Sequence, residues 1–210
     1  MSKLAQARLV NAITFARVPL IFAWLFFALV YEYRGGIVYF VFAALSMLLS
    51  GLTDLWDGRL ARKWAVVSTL GKMADPLMDK VFYIVAFPAL TWLAMHQGES
   101  DCHTLALLSL TILYMLRDTW VTFMRMIGTM YGADVAAAYL GKVRTALSFP
   151  GAGWIYLTLT GGPLLPAAWA EPLRYSCYFV EGVLVLLTLW SLVTYTKDYS
   201  PYLFRALEQK

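Results

Sequence analysis

The chain has 210 residues, 60% hydrophobic and 14% charged, with a formal net charge of +4 and a mean hydropathy of +0.63. That balance is too apolar and charge-poor for an ordinary soluble domain. The basic residues lie beside apolar runs rather than on one polar face, which argues against nucleic acid as a partner and for lipid headgroups.

In chain order, residues 4–9, beside Lys3, are expected to form a short N-terminal interfacial helix with Gln6 and Arg8 on its polar edge. No small-residue cleavage site follows a short apolar core, so the N-terminus is expected to stay attached. Apolar runs at 12–30, 37–51, 81–95, 105–116, 147–160 and 179–196 predict six membrane helices once flanking polar turns are included, since a span needs about 20 residues. The connections at 32–36, 64–71, 96–103 and 161–174 are brief. The mixed stretch 117–146 is expected to hold extensions of helices four and five. With no repeat, low-complexity tract or long linker, residues 1–210 read as a single all-α membrane domain.

Alternating the ends of six spans puts 15 of the 17 basic residues on one side, leaving Arg34 and Arg174 on the other. By the positive-inside rule that side is the cytoplasm, and it holds both termini. Cys102 and Cys177 have no metal-ligand spacing and read as two unrelated thiols rather than a disulfide. His96 and His103 flank a loop on the opposite side, and Glu181 is a charge in the last span that belongs to no motif.

The expensive feature is a group of four aspartates at the junction of spans two and three. One carboxylate near hydrocarbon costs from roughly 3 kcal/mol upwards, so four close together need a shared purpose. Asp54 and Asp57 are three apart and share a helix face, which Gly58 and Ala61 extend toward Arg62. Gly71, Asp75 and Asp79 repeat every four residues and make one stripe on the next helix. Two helices joined by a short turn can aim all four carboxylates at one point. Hard oxygen donors without His or Cys suit Mg²⁺ or Mn²⁺, and four carboxylates suffice for two ions. The alternative for each aspartate is capping or pairing with Arg59, Arg62, Lys63, Lys72 or Lys80, and Asp75 before Pro76 is placed to cap a helix. Gly58, Ala61 and Gly71 either clear space for a ligand or let helices pack.

The frame Asp54-x-x-Asp57-Gly58-x-x-Ala61-Arg62, eight residues, then Gly71-x-x-x-Asp75-x-x-x-Asp79 resembles the complete signature of the CDP-alcohol phosphatidyltransferases. The resemblance implies a six-helix core with the active site near the cytoplasmic boundary of a bacterial-type inner membrane, and a homodimer. It also implies Asp54, Asp57 and Asp75 as metal ligands, and Asp79 as general base that also touches a metal. Asp54, Gly58, Ala61, Arg62, Gly71 and Asp75 would hold the donor CDP-diacylglycerol. Asn11-x-x-Thr14-x-x-Arg17, the run 70–80, Arg117-Asp118 with Arg125, and 141–145 resemble the branch whose acceptor is glycerol 3-phosphate. On that reading Arg117, Arg125, Lys142 and Arg144 bind the acceptor's phosphate, and the products are phosphatidylglycerophosphate and CMP. Asp118 stands where that branch has glutamate, and Arg144 where it commonly has lysine. Thr14 either satisfies its own helix carbonyl or joins Arg17 at a phosphate or at Asp54. Asn11 is expected to cap its helix, and Asp134 either approaches the basic cavity or pairs with Arg125.

Related transferases using phosphatidylglycerol, inositol phosphate or serine remain the alternatives in the same class. An ion-coupled transporter is the alternative outside it, although that would require a midplane site and usually paired repeats.

Overall fold

The structure is a computed structural model and describes residues 2–66, 69–132 and 139–208, without the side chains at 69, 70, 72, 73, 75, 76 and 139–142. Six long helices follow one another among the described residues: α1 (Lys3–Arg34), α2 (Ile37–Trp64), α3 (Thr69–His96), α4 (Asp101–Met130), α5 (Tyr139–Tyr156) and α6 (Ala170–Glu208). A π-helical turn (Leu157–Gly161) continues α5, and two 3-10 turns lead into α6. Helices α1 to α4 and α6 contain segments long and apolar enough to cross a membrane, while α5, at 18 residues, is not among these five.

Residues 4–9 are not a separate interfacial element. They are the opening turns of a continuous 32-residue α1, in which Pro19 is the first residue of a helix-breaking type. Ser2 caps that helix, its hydroxyl accepting from the Ala5 N–H. The α1–α2 reversal uses Gly35 and Gly36, both at positive φ, where a side chain would be strained. Helix α2 ends at Ala65 in the left-handed region, its N–H returned to the carbonyls of Ala61 and Arg62.

Burial follows one stripe per helix. In α1 it is Val10, Thr14, Arg17, Ile21, Trp24 and Ala28; in α6 it is Cys177, Glu181, Leu184, Thr188, Ser191, Tyr195 and Tyr199. Alternating steps of three and four keep a stripe against neighbouring helices along its length. Polarity along these stripes is inverted relative to a soluble protein. Ser50, Thr188 and Ser191 are fully buried, whereas Phe22, Phe26, Phe179 and Leu186 are more than half exposed. An apolar exterior over a partly polar interior is what a hydrocarbon surround selects, and the chain is an all-α multi-pass membrane protein. The central core joins Trp24, Phe40 and Tyr156 on α1, α2 and α5 to Phe82, Phe87 and Tyr114 on α3 and α4.

Helices α4 and α6 run in the same direction. His103 meets Cys177 and Glu181 near their starts, and Arg117 meets Ser191 and Tyr195 fourteen residues further along each. At 1.5 Å per residue those two levels are about 21 Å apart.

Candidate active site

Arg17 organises the aspartates. Its buried guanidinium donates to Asp54 at 2.7 Å and to Asp79 at 2.7 Å, and lies 3.5 Å from Asp57. Thr14, one turn earlier on α1, has its hydroxyl 2.8 Å from Asp57 Oδ2 and 3.2 Å from its own helix's Val10 carbonyl. The helix-carbonyl alternative for Thr14 is met, while its carboxylate contact is Asp57 rather than Asp54. The spacing of Asp54 and Asp57 puts them on one face of α2, α3 brings Asp79, and α1 inserts a cation between the two helices. Asp57 is buried, while the Asp54 and Asp79 side chains remain 44% and 27% exposed, so the cluster opens on their side. Backbone at Asp75 continues α3 one turn before Asp79, and its side chain lies outside the described residues.

Three carboxylates gather on one guanidinium, and like charges at such spacing repel. An oxygen-only donor set of this kind fits hard divalent cations, so the aspartates suit Mg²⁺ or Mn²⁺ by donor type.

Gly58 faces open space. Among the described residues, a Cβ built there would meet only the Arg62 guanidinium, at 3.7 to 4.0 Å. Gly51, two turns earlier on α2, differs, since a Cβ there would lie 2.7 Å from the Phe149 ring. Helix packing accounts for Gly51 and not for Gly58. Arg62 itself is exposed and has no ion-pair partner among the described residues; Ala61 is half-buried, and Gly71 lies in the first turn of α3.

From Asp54 an apolar groove of about 640 Å³ runs between α2 and α5, lined by residues including Leu45, Leu48, Leu52, Phe149 and Trp154. Carboxylates at one end of a greasy slot make a site with two chemically different halves.

A second charged group sits one turn deeper. Arg117 and Arg144 both donate to Asp118 Oδ1, at 2.8 and 2.9 Å. Arg117 also donates to Ser191 and stacks over Tyr195, while Arg144 lies over Tyr114 and Tyr83. Tyr83 is four residues, one turn, after Asp79 on α3, which links the two clusters. Two buried guanidiniums share one carboxylate, and Nε of both and Nη2 of Arg144 have no hydrogen-bond partner among the described residues. The group thus carries unused donors on two cations that share one carboxylate. Arg125 lies two turns, about 12 Å, further along α4. The Lys142 side chain and all of Asp134 lie outside the described residues.

The sequence profile of the CDP-alcohol phosphatidyltransferases matches residues 7–194. The chain belongs to that family. It is 32% identical over 193 residues to the CDP-diacylglycerol–glycerol-3-phosphate 3-phosphatidyltransferase of Treponema pallidum, covering 86% of this chain and 84% of that protein. The enzymes of the same name from Escherichia coli K12 and Shigella flexneri serotype 5b are each 28% identical over 153 residues, covering 73% of this chain and 75% of theirs. Family membership makes the chain a transferase of phospholipid biosynthesis and gives the carboxylate cluster its chemical context.

Sequence reasoning left open what Arg17 touches; a buried arginine in an apolar span already signalled a strong partner. It also missed a buried His/Cys/Glu cluster able to hold a divalent metal: His103, Cys177 and Glu181. These lie at the level of the α3–α4 turn, whereas Asp79 is seventeen residues, about 25 Å, earlier along α3 than His96 at that turn. A nitrogen, sulfur and oxygen donor set is also not the one Mg²⁺ selects. The two clusters are separate features. Cys102 and Cys177 are both free, one exposed and one buried, as two unrelated thiols should be.

Proposed function

We propose that the protein transfers the phosphatidyl group of CDP-diacylglycerol to sn-glycerol 3-phosphate, giving phosphatidylglycerophosphate and CMP. The observation that carries this reading is the run of carboxylates, open at Asp54, at the head of an apolar groove and one turn from two buried arginines. A donor with two acyl chains and a diphosphate needs both halves of such a site, and an acceptor bearing its own phosphate needs the arginines.

In this reading Asp54, Asp57, Asp75 and Asp79 hold two Mg²⁺ or Mn²⁺ ions, which when bound offset charge on the transferring phosphoryl group and on the departing nucleotide. Gly58, Ala61 and Gly71 let the nucleotide approach the helices, and Arg62 reaches a donor phosphate through its planar fork. The groove between α2 and α5 receives acyl chain. Arg117 and Arg144 hold the acceptor phosphate, with Lys142 and Arg125 adding positive charge. Asp79 accepts the proton of the acceptor hydroxyl. The hydroxyl oxygen then forms its bond to the donor phosphorus that carries diacylglycerol, and the bond from that phosphorus to CMP breaks with its electron pair going to CMP. Arg17 keeps Asp54 and Asp79 in fixed rotamers, which is positioning rather than chemistry.

We also infer six crossings, with α5 and its π-helical continuation as the fifth, and both termini and the site on the cytoplasmic side of a bacterial-type inner membrane. The distribution of lysine and arginine supports that orientation. The test is CMP release by the purified protein in mixed micelles containing CDP-diacylglycerol and Mg²⁺ or Mn²⁺, with the lipid product identified. Glycerol 3-phosphate, serine, inositol 1-phosphate and phosphatidylglycerol are compared as acceptors. Metal-dependent phosphatidylglycerophosphate formation is expected; turnover with another acceptor alone would overturn the acceptor assignment, and no transfer with any acceptor would overturn the reaction.

A further inference from the structure

We propose that His103, Cys177 and Glu181 form a zinc-class metal site that clamps α4 to α6 at the end of the bundle away from the aspartates, independent of the transfer reaction. Their donor atoms all lie within 4.8 Å of one another, and all three residues are buried. His103 Nε2 is 2.8 Å from Glu181 Oε1, and Cys177 Sγ is 3.3 Å from the same oxygen. These separations are a few tenths of an ångström short of those between donors around a tetrahedral Zn²⁺, whose bonds run about 2.0 to 2.3 Å. Metal entry needs only a slight spreading of side chains that already converge.

Two further observations favour an ion over a plain hydrogen-bonded triad. His103 Nδ1 lies 3.0 Å from Glu99, the outer carboxylate contact that fixes ring orientation and tautomer in zinc-bound histidines. A cavity of about 390 Å³ is lined by His103, Cys177 and Glu99 together with Thr158, Gly162 and Arg174, so there is an entry path and room for water as fourth ligand. The mixed nitrogen, sulfur and oxygen set favours Zn²⁺ over Mg²⁺ or Ca²⁺. The helix start helps locally, because Ser100 caps α4 by accepting from the His103 N–H and so holds that residue at the first turn.

The experiment uses the purified full-length protein in detergent, stripped with chelator and titrated with ZnCl₂ or CoCl₂ in excess Mg²⁺. One Zn²⁺ per chain, read from calorimetry, and a raised melting temperature are expected. Co²⁺ should give a thiolate charge-transfer band that disappears in Cys177→Ser and persists in Cys102→Ser. Glu99→Gln should weaken zinc affinity about 10- to 100-fold as an orienting contact. Absence of the thiolate band in the unaltered, folded protein overturns the proposal whether or not any variant folds, and so does equal zinc affinity in Cys177→Ser.

Discussion

The two ends of this bundle bury charge in opposite ways. At the aspartate end, three carboxylates converge on one guanidinium, and two of them stay partly open beside a groove. At the other end, one imidazole sits between two carboxylates, with a thiol against one of them. On the proposed reading, the cluster beside the groove is arranged for cations and substrate that come and go, while the buried one holds helices together. That reading separates an end for turnover from an end for cohesion, although both are described by the same words, buried and charged.

The largest effect expected from breaking this contrast is on chemistry at Asp79. Asp79→Asn keeps an acceptor oxygen for Arg17 but removes the proton acceptor, so kcat should fall by about 10²- to 10⁴-fold. Steady-state kinetics with CDP-diacylglycerol, alongside a melting curve, separate lost chemistry from lost folding. A variant within threefold of the parent would remove Asp79 from the base role.

Next comes the cation itself. Arg17→Gln leaves the carboxylates without their shared partner and should destabilise by about 3–5 kcal/mol, because an unpaired buried charge costs more than the pair contributes. Millimolar Mg²⁺ should restore part of that loss by supplying positive charge at the same place. Glu181→Gln at the other end leaves His103 paired with Glu99, so its loss should be smaller and should not respond to Mg²⁺. Equal Mg²⁺ rescue of both variants, measured by thermal unfolding in detergent, would erase the distinction between the two ends.

A smaller effect is expected at the paired arginines. Arg144→Lys loses the planar fork that bonds Asp118 and stacks on Tyr114, and a charge-assisted hydrogen bond is worth about 1.5–3 kcal/mol. KM for glycerol 3-phosphate should rise roughly 10-fold or more with little change in KM for the donor. A rise in the donor KM alone would move Arg144 to the nucleotide side.

How far the sequence spoke depended on whether partners share a helix. Asp54 with Asp57, and Asp75 with Asp79, are readable because spacings of three and four fix a common face before any packing is known. The segments of α1 to α4 and α6 long and apolar enough to cross a membrane were readable from the apolar runs. The separate interfacial helix was not there, since residues 4–9 contain nothing that stops a helix entering the first span. Contacts between distant helices left no local trace. Arg17 is 37 residues from Asp54 and 62 from Asp79, and His103 is 78 from Glu181. Their meeting depends on the rotation of one helix against another, which an apolar stripe specifies only roughly. The departure at Asp118 is also understandable only in three dimensions, because its single Oδ1 serves both Arg117 and Arg144.

The finest test compares two glycines on one helix. Gly51→Ala would bring a methyl to 2.7 Å from Phe149, and overpacking of that kind costs about 1–3 kcal/mol. Among the described residues Gly58→Ala meets only the Arg62 guanidinium at 3.7 Å or beyond, so α2 should instead gain about 0.5–1 kcal/mol from the lower backbone entropy of alanine. That same methyl would occupy the space assigned to the nucleotide. Gly58→Ala should therefore melt at or slightly above the parent temperature while KM for CDP-diacylglycerol rises several-fold, and Gly51→Ala should melt lower with its donor KM nearly unchanged. The opposite signs matter more than the sizes, since a purely structural glycine cannot raise stability and weaken donor binding at once. An unchanged donor KM in a stable Gly58→Ala protein would mean that the open face of α2 is not where the nucleotide lies.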